Sequence, residues 1–373
     1  MSSHFLPSCW CAHTFFFKKG EEEGKQQKKI EIEPLREVFV PEEKEKEKLK
    51  QVGLDLIRRN KVGAILMAGG QGTRLSSEEP KGMYDVLLPS GKTLFQLQAE
   101  KLLKLSQLST QTRTTKTTNQ TQGKQGKERG GEREEKREEK REEKREEKRE
   151  EKREEEREGV IKWFVMTSPA TEESTKKYFE EKKYFGLEER DVFFFTQNTF
   201  PSFSNEGKLL LETKKSLCRS PNGNGGVYEA LERSGGVKEM EESGVEYLFL
   251  YGVDNIAIKL CDPLAIGLLH AQQKEGVEVL VKTTPKLNEN EKVGVFALKE
   301  GKPGVVEYSE IDSKLSASRD SKGNLIFNTS NICIHLLTFS FLKRIIPFLP
   351  SLPYLNSFLS FSFQQIFILF FQK

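Results

Sequence analysis

Apolar residues along this chain follow two spacings. Near-continuous apolar runs lie at Val62–Met67, at Ile161-Lys-Trp-Phe-Val-Met, within Asp191–Gln197 as Val-Phe-Phe-Phe, within Val245–Asn255 as Tyr-Leu-Phe-Leu-Tyr, and at Val277-Glu-Val-Leu-Val. Runs of that length without alternation predict strands covered on both faces, as in a parallel sheet. Between them apolar positions recur at helical spacing: across 42–60, across Thr93–Gln107 through Leu94, Leu97, Leu102, Leu103 and Leu105, and across 172–185. Strands alternating with helices require right-handed crossovers, so the pattern predicts an α/β fold, a doubly wound, mostly parallel, Rossmann-like sheet with helices on both faces. In such sheets ligands gather beyond the carboxyl ends of the strands. Gly69–Arg74, Thr167, Ser168, Gln197, Asp254 and Asn255 are all expected there.

Two stretches break the pattern. From 109 to 159 a Thr, Gln, Gly and Lys tract leads into an Arg-Glu-Glu-Lys repeat without apolar residues, which cannot contribute a core. Its period of four sets like charges at i, i+4 against attractive i, i+3 pairs such as Glu142 and Arg145, and it reads as a charged low-complexity insertion on the surface. After Leu342 the chain turns into Pro- and Ser/Phe-rich apolar residues up to Lys373. Leu355–Phe371 is at the short edge of membrane-spanning length and carries Asn, Ser and Gln, so no membrane span is expected. The resulting organisation is an irregular segment at 1–44, the first part of a nucleotide-handling domain at 45–108, the insertion at 109–159, the rest of that domain at 160–342, and the apolar tail at 343–373.

Composition narrows the class further. Charged residues make up 31% and hydrophobic residues 35%, too polar for every segment of the 373 residues to be globular. A net charge of +3 gives no electrostatic case for nucleic acid or an anionic membrane. The five cysteines, at 9, 11, 218, 261 and 333, are scattered, and Cys9-Trp10-Cys11 is too tight for a zinc knuckle. They read as reduced thiols, and with no basic segment leading into an apolar run at Met1-Ser-Ser-His-Phe, the expected location is the cytoplasm.

Chemistry concentrates in Gly63-Ala-Ile-Leu-Met-Ala-Gly-Gly-Gln-Gly-Thr-Arg-Leu followed by Pro80-Lys-Gly-Met-Tyr-Asp. Glycines let backbone N–H groups close around an anion, and Arg74 and Lys81 offset phosphate charge. The spacing is neither that of a P-loop nor that of a dinucleotide fingerprint. Asp254 ends a strand, where a carboxylate holds Mg²⁺ against phosphate oxygens or, alternatively, caps a following helix. Pro221-Asn-Gly-Asn-Gly-Gly is a second glycine turn suited to a base or a sugar.

Together with Leu88-Pro-Ser-Gly-Lys-Thr-Leu-Phe-Gln, Val253-Asp-Asn, Val305-Val-Glu-Tyr-Ser-Glu-Ile and Phe327-Asn-Thr-Ser-Asn, these segments closely resemble the eukaryotic UDP-N-acetylhexosamine pyrophosphorylases, in the family's order, across 45–108 and 160–340. The resemblance implies a sheet of the nucleotide-diphospho-sugar transferase type. It also implies a Mg²⁺-dependent reaction in which the phosphate of N-acetylglucosamine 1-phosphate attacks the α-phosphorus of UTP and pyrophosphate leaves in line. By position, Met67, Ala68, Gly69 and Gly70 would present backbone to the nucleotide, and Arg74 and Lys81 would stabilise the triphosphate and leaving pyrophosphate. Gln197 and Gly223 would read uracil, and Asp254 would hold the metal. Asn224, Gly294, Glu307, Tyr308 and Asn331 would contact the amino sugar, Glu307 by accepting from neighbouring hydroxyls. Ser76 and Leu87 stand where the family has glycine. The resemblance stops near Leu342, before the family's further phosphate-contacting lysines and small C-terminal domain. The expected alternatives are therefore a truncated UTP-binding remnant without turnover, or synthesis of UDP-N-acetylgalactosamine or UDP-glucose.

Overall fold

The computed structural model describes residues 31–35, 38–70, 79–111, 157–204, 206–351 and 367–372. Arg74, Ser76, Cys9, Cys11, nearly all of the charged insertion and residues 352–366 of the tail lie outside them. Residues 199–220 fold as a small unit of their own, within which Leu211–Thr213 pairs antiparallel with Ser216–Leu217. The site residues described below belong to the larger unit, Ile32–Asn198 with Pro221–Lys373.

That unit is built on one mixed sheet. Its strands are β1 (Ile32–Pro34), β2 (Val62–Met67), β3 (Lys162–Thr167), β4 (Val192–Thr196), β5 (Tyr247–Gly252), β6 (Val277–Pro285), β7 (Val295–Lys299), β8 (Lys302–Val306), β9 (Thr329–Thr338) and β10 (Phe367–Gln372). Across the sheet the order is β10-β6-β9-β5-β2-β3-β4, with β7 joined to the start of β9 and β1 and β8 flanking β7. The pairs β5-β2, β2-β3, β3-β4 and β6-β10 are parallel. β9 runs against both of its long neighbours, β5 and β6. The mostly parallel α/β sheet expected from the apolar runs is what the chain forms.

Helices cover both faces, as the runs require. They are α1 (Glu43–Arg58), α2 (Leu94–Gln111), α3 (Glu172–Glu181), α4 (Gly226–Arg233), α5 (Gly236–Glu242), α6 (Pro263–Gln272) and α7 (Phe339–Ile345). Successive residues of β2 enter different cores: Val62, Ala64 and Leu66 face α1, α2 and α6, while Ile65 faces the cluster containing Tyr228 of α4, Met240 of α5 and Phe341 of α7. The period of two along a strand thus becomes two apolar layers. Helices α1 and α6 approach so closely that a Cβ on Gly53 would lie 1.9 Å from the Pro263 carbonyl oxygen, and one on Gly267 1.9 Å from that of Leu49.

Several elements depart from the periodicity. The helix expected over 172–185 stops at Glu181, because Lys183, Tyr184 and Phe185 take φ of 48°, 51° and 55°. This left-handed turn folds the Tyr184 and Phe185 rings back onto Phe179, at centroid distances of 6.2 and 5.0 Å. Aromatic packing there outweighs helical spacing. The stretch 1–44, read as irregular, supplies β1, and the apolar tail supplies β10, which pairs with the edge strand β6. Leu87 adopts φ of 58° while 84% exposed, a conformation costing roughly 1–2 kcal/mol in a residue with a Cβ. Among the described residues no helix is long and apolar enough to cross a membrane.

Candidate nucleotide and sugar phosphate site

The carboxyl ends of β2, β3, β4 and β5 are laced together by backbone. Val253 donates to Met67 O at 3.2 Å, Ala68 to Met166 O at 2.9 Å, and Gln197 to Thr167 O at 3.0 Å. Gly69 leaves β2 against Gln197: a Cβ there would sit 2.6 Å from Gln197 Nε2 and 3.2 Å from Thr167 O, so this position has room only for hydrogen. Gln197 itself is buried. A Cβ on Gly70 would instead make ordinary contact with Lys81 Cε, at 3.4 Å.

Lys81 is carried by a short turn, Lys81–Met83, seated on α2. Gly82 makes that seat possible, since a Cβ on it would fall 2.1 Å from the Phe95 ring. Lys81 Nζ lies 2.8 Å from Asp254 Oδ2, although the two are 173 positions apart. The side chains are 23% and 67% exposed, so the pair is worth only ~0–1 kcal/mol and Lys81 is free to exchange its partner for a phosphate oxygen. Asp254 does not cap a helix. The cap of α6 is Asp262, whose Oδ1 accepts from Leu264 N at 3.2 Å, while its Oδ2 pairs with buried Lys282 at 2.7 Å.

The second glycine turn is tied to the same rim. Asn222 N donates to Asn198 O at 3.0 Å, Asn198 Nδ2 donates to Glu229 Oε1 at 2.7 Å, and Gly223 takes φ of 79°, a value glycine adopts without penalty. Asn224 follows on the exposed outside of the turn, where Val227 N reaches its carbonyl at 3.2 Å. Gln197 and Gly223, assigned together to a base, are thus linked through Asn198.

A separate group of predicted residues converges on β9. Asn331 N donates to Gly294 O at 2.8 Å, and a Cβ on Gly294 would lie 3.1 Å from Glu307 Oε2. Burial, and then the Glu310 carboxylate, raise the Glu307 pKa against the opposing pull of Lys299. Tyr308 is exposed beside it. Burial and then the carboxylates of Glu307 and Asp254 push the Cys333 thiol up to about 11, so both carboxylates are felt at one point on β9.

Periodicity pointed to neither His335 nor Gln98. His335 Nε2 lies 3.4 Å from Asn331 Oδ1, which also accepts from Cys333 N at 3.0 Å. Burial lowers the imidazole to about 4, leaving it neutral at pH 7. Gln98 is a buried polar residue four positions from both Leu94 and Leu102, and that interruption of an apolar stripe was the available signal. Among the described residues no cluster of three or more His, Cys, Asp or Glu surrounds one point. Chemically the rim offers an anion cradle, a cation and one exposed carboxylate on one side, with hydrogen-bonding groups suited to hydroxyls on the other.

A sequence profile described as UTP–glucose-1-phosphate uridylyltransferase matches residues 12–114 and 147–349. The chain belongs to this family. It is 39% identical over 306 residues to a probable UDP-N-acetylglucosamine pyrophosphorylase of Dictyostelium discoideum, covering 81% of this chain and 54% of that one. It is 38% identical over 324 residues to UDP-N-acetylglucosamine diphosphorylase 2 of Arabidopsis thaliana, covering 84% and 56%. A crystal structure of the Trypanosoma brucei uridine diphosphate N-acetylglucosamine pyrophosphorylase in complex with inhibitor superposes with a TM-score of 0.69 at 27% identity, covering 87% of this chain and 58% of that one. The resemblance drawn from the motifs is borne out by these relatives. The chain spans about half the length of the curated relatives it matches.

Proposed function

We propose that this chain is a UTP:N-acetylglucosamine-1-phosphate uridylyltransferase, releasing pyrophosphate and forming UDP-N-acetylglucosamine. The observation that carries the reading is the meeting of Lys81 with Asp254 beside the glycine turn, with a second cluster built from Gly294, Glu307 and Asn331 gathered at β9, which pairs with the strand that Asp254 follows. A triphosphate and a sugar phosphate must be held end to end for in-line attack, and two polar clusters along one sheet edge suit that task. Such transfer needs positioning and charge neutralisation more than proton transfer.

In this mechanism the backbone from Met67 to Gly70 faces the triphosphate. Lys81, with Arg74, offsets charge on the leaving pyrophosphate. Gln197 and Gly223 hold the base, and Asn224, Glu307, Tyr308 and Asn331 hold the amino sugar so that its phosphate oxygen faces the α-phosphorus. Asp254, an exposed carboxylate of the hard-oxygen type that suits Mg²⁺, would hold that ion. When bound, the ion would add positive charge against the triphosphate. Free thiols at Cys218, Cys261 and Cys333 support a cytoplasmic setting.

The test is pyrophosphate release by the purified chain with UTP, N-acetylglucosamine 1-phosphate and Mg²⁺, beside Lys81→Met. Turnover that falls about 10²–10³-fold in the variant supports the reading, the scale on which loss of one charge-stabilising donor is felt. A folded chain that binds UTP but releases no pyrophosphate would replace it with a nucleotide-binding role. Parallel assays with N-acetylgalactosamine 1-phosphate and glucose 1-phosphate set the sugar preference.

A further inference from the structure

Asp254 is exposed, yet the backbone that carries it is held from below by a buried chain of directed hydrogen bonds. Trp163 Nε1 donates to Tyr251 OH at 3.0 Å, Tyr251 OH donates to Gln98 Oε1 at 3.3 Å, and Gln98 Nε2 donates to Val253 O at 3.1 Å. Trp163, Tyr251 and Gln98 are all buried, so each donor is committed and the Gln98 amide has one orientation. The last acceptor belongs to the peptide bond joining Val253 to Asp254, whose other neighbour, Val253 N, is fixed on Met67 O. One turn further along the same helix, Lys101 Nζ donates to Ile256 O at 2.7 Å and to Ile258 O at 3.1 Å. The loop bearing Asp254 is thereby held on both sides of the carboxylate by side chains of α2.

We infer that Gln98 and Lys101 are positioning residues for Asp254, holding its carboxylate where a metal–triphosphate ion would meet it. In its consequence for the nucleotide this rests on the proposed uridylyltransferase reading; in its claim about the loop it does not. A structural role alone would make both side chains contribute to stability without altering one ligand more than another. A positioning role sets a different pattern. Carbonyl groups released from Gln98 or Lys101 let the 254–258 loop drift, and misplacement of a ligand-bearing loop costs metal binding about 10–100-fold, as loss of supporting hydrogen bonds around metal ligands generally does. The β9 cluster and Gly69–Gly70, to which Gln98 and Lys101 make no hydrogen bond among the described residues, keep their own contacts.

Two measurements on Gln98→Met, Lys101→Met and Lys101→Arg test this. Hydrogen exchange in the free chain should accelerate in the segment 254–258 for both methionine variants, and Lys101→Arg, which retains donors for two carbonyls, should restore wild-type protection. Binding of Mn²⁺–UTP, followed by the electron paramagnetic resonance of free Mn²⁺, should weaken at least about 10-fold in the methionine variants and recover in Lys101→Arg, with UTP binding in the absence of metal unchanged. Lys101 is only half-buried, so its variants keep the test alive if Gln98→Met fails to fold. Unaltered exchange and unaltered Mn²⁺–UTP affinity in folded Lys101→Met would overturn the inference, as would an arginine variant as impaired as the methionine one. If the wild-type chain binds no Mn²⁺–UTP, the uridylyltransferase reading falls, and exchange over 254–258 alone then upholds or overturns the anchoring.

Discussion

Gly69→Ala is the sharpest perturbation this site offers, because its effect depends on one neighbour that is itself removable. The new methyl carbon would lie 2.6 Å from Gln197 Nε2 and 3.0 Å from its Cδ, against about 3.4 Å for ordinary contact. Gln197 must move by about 0.8 Å, and being buried it moves only by disturbing its surroundings. Overpacking of this kind typically costs 1–3 kcal/mol. Where UTP binding requires Gln197 in its original place, that cost falls on binding, and with 1.4 kcal/mol to each factor of ten it lowers UTP affinity about 5–150-fold. Gly252→Ala, at the end of β5, is the control: a Cβ there meets no atom within 4 Å and should change affinity by less than about 3-fold. Isothermal titration of UTP into the wild type, Gly69→Ala, Gln197→Ala and the double variant closes a cycle. If the clash with Gln197 is the cause, Gly69→Ala costs little once Gln197 is alanine, leaving only the 3.2 Å approach to Thr167 O. A full penalty persisting in the Gln197→Ala background, or equal losses at Gly69 and Gly252, would refute the reasoning.

Three further outcomes follow from other parts of the structure. Burial raises the folded-state pKa of Glu307 above its usual 4.5, so the folded chain binds the extra proton and loses stability as pH rises from 4.5 through that raised value. Glu307→Gln should accordingly raise the melting temperature at pH 7, with the gain vanishing below pH 4.5, and denaturation at both pH values checks the sign. Lys282→Met strands the Asp262 carboxylate among buried groups and should destabilise the chain by about 3–5 kcal/mol in urea, whereas replacing both partners with apolar residues should recover much of the loss. Gly53→Ala drives a methyl group into the Pro263 carbonyl and should cost about 1–3 kcal/mol; adding Gly267→Ala should cost less than the sum, since the first substitution has already parted α1 from α6.

Strand and helix identity was written locally. Val62–Met67 and Tyr247–Gly252 are apolar at every or nearly every position, and a segment that must be covered on both faces can only lie inside a layered α/β sheet. The glycine turn after β2 was legible for the same reason: close backbone approach excludes a Cβ, and Gly69 has none to spare. Local pattern failed where a distant surface decided. The left-handed turn at Lys183–Phe185 exists because Phe179 offers its ring to the residues that follow. Strand β9, Thr-Ser-Asn-Ile-Cys-Ile-His-Leu-Leu-Thr, carries no mark of direction in its sequence, and only its pairing with β5 and β6 determines that it runs antiparallel. The ion pair of Lys81 with Asp254 and the hold of Gln98 on the Asp254 peptide bond join residues 173 and 155 positions apart in sequence. Spacing along a chain encodes which face a residue turns inward, but a hydrogen bond depends on where two segments meet, and that meeting is settled only when the layers pack.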